Sequence, residues 1–266
     1  MKKIAVCVFV FLCMSSLNSI GQNKTISPKN GSERETPGVH KVMLIPFEPK
    51  LYLSEIDLKI NRETNFSASE IKHRFRDGIN DQLFKALKSE NYSVLDLMED
   101  TTKYKKETES IYQYLTYEYQ RVPNQDNYEA PKKEKEQKKI EKGQISVETN
   151  DQNRFMNAKL TNAKLVPILY GKFKTDIFVF INQLDIKEIG FKGPNDLGDS
   201  NPNRKIIVHY TVYSLNAKEI NSGIAEEEFA PNLNNPKKII DKHFSKIAFT
   251  IAKRINKGMG LQPKKN

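Results

Sequence analysis

Cysteine is nearly absent from this chain, and its placement matters. Cys7 and Cys13 are the only two, both close to the N-terminus, so the rest of the chain can form no disulfide and has no thiolate for zinc or redox chemistry. Tryptophan is missing altogether. The four histidines, His40, His73, His209 and His243, stand far apart, and none neighbours a serine–glycine turn or a paired carboxylate. There is no nucleophile elbow, His-Glu-x-x-His helix, phosphate-binding glycine loop or dinucleotide fingerprint. These absences argue against the common hydrolase, metalloprotease and nucleotide-dependent classes, and the expectation is a protein that is not an enzyme and carries no cofactor. Long apolar runs are also lacking. Residues 4–14 form the longest, well short of the roughly 20 that a membrane-spanning helix needs, so no transmembrane segment is expected in the mature chain.

That run does have a use. Met1-Lys2-Lys3 is basic, 4–14 is apolar, and 15–21 is small and polar with Ser19 and Gly21 at its end. Together they read as a signal peptide over 1–21, cleaved to leave Gln22 as the new N-terminus. A lipid-bearing Cys13 would need small residues before it, and Phe11 and Leu12 stand there instead. The expected location is the periplasm, in solution or associated with the outer membrane. The chain has 43 Lys and Arg against 33 Asp and Glu, a net charge of +10. Losing Lys2 and Lys3 leaves about +8, a balance that favours anionic glycans or lipid headgroups, while export disfavours nucleic acid. The same lysines also read as ordinary solvated surface.

Residues 22–38 are rich in Ser, Thr, Asn, Lys, Gly and Pro without periodicity, as expected of a flexible linker. A single domain is expected over 39–262, with a short tail at 263–266. Val42-Met43-Leu44-Ile45-Pro46-Phe47 lacks alternation, which suits a strand buried on both faces. A long connection, 48–66, follows. It mixes Leu51, Tyr52, Leu53 and Ile56 with Glu48, Lys50, Glu55 and Asp57, and either folds back on the sheet edge or meets a partner. Ser67 and Glu70 have capping-box spacing. Ile71, Phe75, Ile79, Leu83 and Leu87 then recur every four residues as one apolar stripe. Asn91 is placed to end this helix in a left-handed conformation before a second short strand at 94–97.

Residues 103–162 look like a Lys/Glu-rich insertion, helical or disordered. Within it, 101–121 is a helical candidate dense in tyrosine, whose Tyr112–Tyr119 face either packs or stacks against a glycan. The stretch 131–143 has no apolar stripe. Strands are expected at 168–173, 177–186, 206–215 and 220–229, the last two joined by a turn at 216–219. Asp196, Asp199 and Asn201 carry oxygens suited to calcium but lack EF-hand spacing, so no metal is assigned. Asn235-Pro236 starts a final helix with Ile240, Phe244, Ile247, Ile251 and Ile255 as its stripe. The fold class is therefore α/β (α+β). A mixed sheet carries two packed amphipathic helices, in the order β-α-β-(insertion)-β-β-β-β-α.

Three of these segments resemble a family of exported bacterial envelope proteins, among them the soluble domain of the curli-secretion lipoprotein and the lipoprotein activators of penicillin-binding proteins. Val42–Phe47 is similar to the family's opening strand ending in Pro-Phe, Asp176–Phe180 to its aspartate-led central strand, and Tyr213–Ile220 to its hairpin. Asn182 stands where the family usually has glycine, and Ala217-Lys218 where Thr-Gly is common. The resemblance implies a non-enzymatic binding or assembly module of the cell envelope with a protein partner. The alternative is a basic module holding an anionic glycan or lipid headgroup. Candidate binding residues are Glu48, Lys50, Leu51, Tyr52, Leu53 and Asp57 in the long connection, with Tyr112 and Tyr119.

Overall fold

A computed structural model describes residues 39–132, 139–141, 144–146, 154–190 and 202–261. The expected signal peptide, linker and tail, residues 133–138, 142–143 and 147–153 of the expected insertion, and Asp196, Asp199 and Asn201 lie outside the described residues.

At the centre is a six-stranded mixed sheet. β1 (Lys41–Ile45) lies between β3 (Ser93–Asp96) and β8 (Ile177–Glu188), parallel to both, with Val42 opposite Val94 and Ile177. Farther along β8, β2 (Tyr52–Ser54) takes the place of β1, with Tyr52 opposite Leu184. β9 (Arg204–Ser214) pairs antiparallel with β8, and β10 (Glu219–Phe229) pairs antiparallel with β9 as one edge. The outer carbonyls of Ser222 and Ile224 on that edge accept from Gln125 Nε2 and Arg254 Nη1. Beyond them Glu226 and Glu228 lie exposed, and charge is a usual guard against pairing with another chain.

One face of the sheet is covered by α2 (Ala68–Ser89) and the C-terminal helix. Ser67 caps α2 as its sequence promises: its hydroxyl accepts from Glu70 N, and its own N–H donates to Glu70 Oε2 at 2.7 Å. The stripe Ile71, Phe75, Ile79, Leu83 and Leu87 is fully buried. The C-terminal helix starts as α5 (Pro236–Ile239), capped by Asn235, passes through a π turn at Ile240–Phe244, and continues as α6 (Ser245–Gly258). The two helices come close at Gly78, where a Cβ would lie 2.7 Å from Ile240. Phe75 and Phe244 meet beneath them with centroids 5.6 Å apart.

The second face is covered by elements the sequence describes less well. α3 (Lys105–Gln113), the antiparallel pair β4 (Leu115–Arg121) and β7 (Arg154–Leu160), and α4 (Leu165–Phe173) lie over it. Ile111, Leu115, Ala158, Leu165 and Leu169 pack there on Met43, Ile45, Phe178, Phe180 and Tyr213. A small pair, β5 (Lys139–Glu141) with β6 (Gln144–Ser146), falls within the stretch expected to be helical or disordered.

Two expected elements change type. The helix expected over 101–121 ends at Gln113, because Leu115, Tyr117 and Tyr119 alternate with Thr116, Glu118 and Gln120 at a strand's period of two. The strand expected at 168–173 is α4. There Leu165, Val166 and Leu169 share the buried side while Ile168 and Tyr170 point outward, a helical spacing. Pro167 falls in the first turn, where its missing N–H costs nothing, and Lys174 ends the helix at φ 56°. Among the described residues three strands therefore follow the inserted region, not four. The long connection 48–66 is also ordered. It holds a 3₁₀ turn (Pro49–Leu51), β2, and α1 (Asp57–Thr64), whose Ile60 joins Ile56 in the core.

β8 carries a bulge that reverses its alternation. Ile177, Val179 and Ile181 face the helices, and after the shift at Asn182 so do Leu184 and Ile186. Asn182, Gln183 and Asp185 are left on the opposite side, fully buried.

Candidate functional site: the carboxyl end of β1 and the segment beyond it

The chain leaves β1, runs beside β8 as β2, and crosses through α2 to reach β3 on the other side of β1. Reversals of this kind in open α/β sheets place a crevice outside the strand ends, where ligands gather. In this protein the crevice is filled from within. The Tyr112 hydroxyl donates to Pro46 O at 2.7 Å, and Arg76 Nε donates to Phe47 O at 2.8 Å. Arg76 Nη2 also donates to the Tyr112 hydroxyl at 3.3 Å. Both carbonyls at the strand's end are thus satisfied by side chains of α2 and α3.

Glu48 comes next, half-buried, with Lys50 at 2.7 Å and Tyr117 near enough to feel its charge. Burial pushes the Tyr112 hydroxyl up to about 12, against the pull of Arg76. Burial, with the Glu48 charge adding to it, pushes Tyr117 higher still. Both therefore remain hydroxyl donors near neutral pH, a positioning chemistry and not a nucleophilic one. Among the described residues no group of three His, Cys, Asp or Glu is placed to hold a metal.

The next residues form a platform. The Tyr52 ring stacks on Phe75 at 6.2 Å, and its hydroxyl donates to Asp57 Oδ1 at 2.6 Å. Burial first and Asp57 second raise its pKa. Glu55 N donates to Ile186 O at 2.9 Å and Glu55 Oε2 accepts from Glu188 N at 2.7 Å, while Lys59 pairs with Glu188. The Arg204 guanidinium, 1% exposed, lies beside Glu188 and donates to Asn234 Oδ1 at 2.7 Å, and Asn234 in turn reaches Glu63 of α1. So anchored, the segment presents Leu53 at 51% exposure and Leu58 at 73%, with Lys50 also outside and Leu51 half-buried.

The structure therefore gathers Glu48, Lys50 and Tyr112 around Tyr117 and Arg76, and joins Tyr52 to Asp57. It sets Tyr119 apart. Tyr119 lies on β4, 52% exposed, its hydroxyl donating to Gln183 Oε1 at 3.1 Å. With Tyr112 on α3 and committed to Pro46, the expected helical Tyr112–Tyr119 face does not form. Arg76 and Tyr117 were missed by sequence reasoning. Arg76 looks like any charge on the polar side of α2, and Tyr117 falls within the helix expected over 101–121.

A second polar group lies where the β4–β7 ribbon crosses β8 and β9. Among the described residues no strand pairs the outer edge of β7, and side chains of the sheet bond to it instead. Met156 N donates to His209 Nδ1 at 2.9 Å and Ala158 N to Thr211 Oγ1 at 3.1 Å. Met156 O accepts from Asn182 at 2.8 Å and Ala158 O from the Tyr213 hydroxyl at 2.8 Å. Since His209 accepts at Nδ1, its proton sits on Nε2, facing Asp185 Oδ2 at 3.5 Å. Burial alone raises the Asp185 pKa, but His209, Gln183 and Lys187 more than offset it and hold the carboxyl below its ordinary value. Asn182-Gln183-x-Asp185 inside an apolar strand was the one available sequence signal for this seam.

Neither a family model nor a curated protein matches this chain. Among the described residues no helix is long and apolar enough to cross a membrane. Two solved structures are similar to it at low TM-score. The lipoprotein GNA1162 from Neisseria meningitidis is 10% identical, over 83% of this chain and 99% of that one, with a TM-score of 0.31. The hypothetical protein CT253 from Chlamydia trachomatis is 10% identical, over 82% and 98%, with a TM-score of 0.34.

Proposed function

We propose that this protein is an exported, non-enzymatic binding module of the bacterial cell envelope, acting in the periplasm, and that it captures a protein partner through the segment around Leu53 and Leu58. One observation carries the reading: two exposed leucines stand on a backbone held by a strand ladder, a ring stack and an ion network that reaches the buried Arg204. Apolar side chains on a fixed backbone bind with little ordering cost, which is what a docking surface needs. The basic-apolar-small N-terminus supports export, and the protonated, internally satisfied hydroxyls at the strand end support binding over catalysis.

The experiment is co-purification from envelope extract with the wild-type chain and a Leu53→Asp/Leu58→Asp variant. The expected result is a defined partner retained by the wild type and lost by the variant, while both melt at the same temperature. Equal recovery with both proteins would rule this surface out.

A further inference from the structure

At the other end of the sheet a second feature has none of this apolar character. A cavity of about 550 Å³ lies among the β9–β10 turn, the last turn of α6 and residues 128–132. It is lined by Tyr128, Glu129, Lys132, Lys218, Glu219 and Lys257, among others. Its size falls in the range of small-molecule sites, about 300–1,000 Å³. It is also far from the leucine platform: Glu219 pairs with Tyr213, which pairs with Phe178 near the start of β8, whereas β2 pairs with the far half of that strand.

The floor is already neutralised. Glu219, its side chain 7% exposed, takes Lys159 at 2.7 Å, Asn157 at 3.2 Å and the Tyr128 hydroxyl at 2.8 Å. The rim is not. Lys257 donates to Gln125 O at 2.9 Å and Asp126 O at 2.6 Å, leaving one of its three N–H donors over. Lys132 and Lys218 are exposed and have no side-chain partner among the described residues. Four lysines against Glu129 and Glu219 leave a charge of +2. The carboxyl end of α6 contributes only about −0.5 in opposition, so the positive sign survives.

We propose that this cavity binds a phosphate ester. Several ammonium groups around one opening match a compact anion with more than one charge and several acceptor oxygens, which a phosphate offers and a single carboxylate does not. The ester is either soluble or the headgroup of an anionic lipid, and the two sources are separable.

The test uses the full purified chain with two probes, glycerol 3-phosphate by calorimetry and phosphatidylglycerol vesicles by flotation against phosphatidylcholine vesicles. The expected result is binding to at least one probe, weakened tenfold or more by Lys132→Glu/Lys218→Glu. Binding of glycerol 3-phosphate identifies a soluble ester; binding of vesicles alone identifies the headgroup. A control pair, Lys105→Glu/Lys106→Glu, makes the same charge change on α3 and is expected to leave binding within twofold. Binding to neither probe, insensitivity to the first pair, or equal loss with the control pair each overturns the proposal. Both pairs lie on exposed side chains, and an unchanged thermal melt confirms the fold.

Discussion

Under α2 and the C-terminal helix, the sheet meets its cover through apolar side chains such as Val179, Ile181, Val208 and Val212, packed on Phe75 and Ile247. Under the β4–β7 ribbon, the same strands turn Asn182, His209, Thr211 and Tyr213 toward a cover that bonds to them through its backbone. The first cover is interchangeable in detail, since apolar contact is non-directional. The second is keyed. Each buried donor or acceptor there costs about 1–3 kcal/mol if its partner is removed. The contrast is between a face held by burial and a face held by matched hydrogen bonds.

The largest expected effect tests the first face. Phe75→Ala and Phe244→Ala, both fully buried, should each cost about 3–5 kcal/mol, read as a fall in Tm on the order of 10 °C for a domain of this size. A silent Phe75→Ala would mean α2 does not hold this face. Next comes the seam. Thr211→Val keeps the shape but strands Ala158 N and Asn157 Oδ1, and about 2–3 kcal/mol should be lost by denaturant unfolding. If the substitution is neutral, the ribbon is held by burial after all and the contrast collapses.

How much of this could be read beforehand follows the same division. The stripes of α2 and α6, the Ser67 capping box, the Asn235 cap and the β9 alternation of Ile206, Val208, Tyr210 and Val212 were all legible, because one-sided burial imposes a period. β8 was legible as a strand but not in its facing, since the bulge at Asn182 exchanges the two sides. α4 and β4 were misread: a short apolar helix and a short strand differ little when flanking turns carry the signal. At the candidate site, Glu48, Lys50, Tyr52 and Asp57 were named, yet their bonding was not, because Arg76, Tyr112 and Tyr117 come from elements distant in sequence. Tyr52 illustrates the point. It lies in the long connection, yet stacked on Phe75 and bonded to Asp57 it packs against the helix-covered core.

Tyr52→Ala should accordingly cost about 2 kcal/mol, less than Phe75→Ala because its side chain is only half-buried. A cost equal to that of Phe75→Ala would mean that the Tyr52 side chain is as fully part of the core as Phe75, against its half-buried position. A smaller and pH-dependent effect belongs to the seam. Asp185 has its folded pKa held below the ordinary carboxyl value, so its contribution to stability is present above the unfolded pKa of about 3.9 and is lost as pH falls through the folded value. Asp185→Asn should therefore flatten the decline in stability on acidification, measured by urea midpoints between pH 2 and 5 (roughly the carboxyl range). An unchanged acid limb would show that the Asp185–His209 contact contributes nothing.

The smallest effect on stability, and the largest on function, is expected at Leu53 and Leu58. Neither is in either core, and polar substitution there should change stability by no more than about 0.5 kcal/mol. The most direct measurement places a photo-crosslinking residue at Leu58 in cells, with Phe249, 42% exposed on α6, as the reference position. The account predicts one dominant cross-linked protein at Leu58 that disappears on Leu53→Asp and is absent at Phe249. The same products at both positions, or none at Leu58, would contradict it.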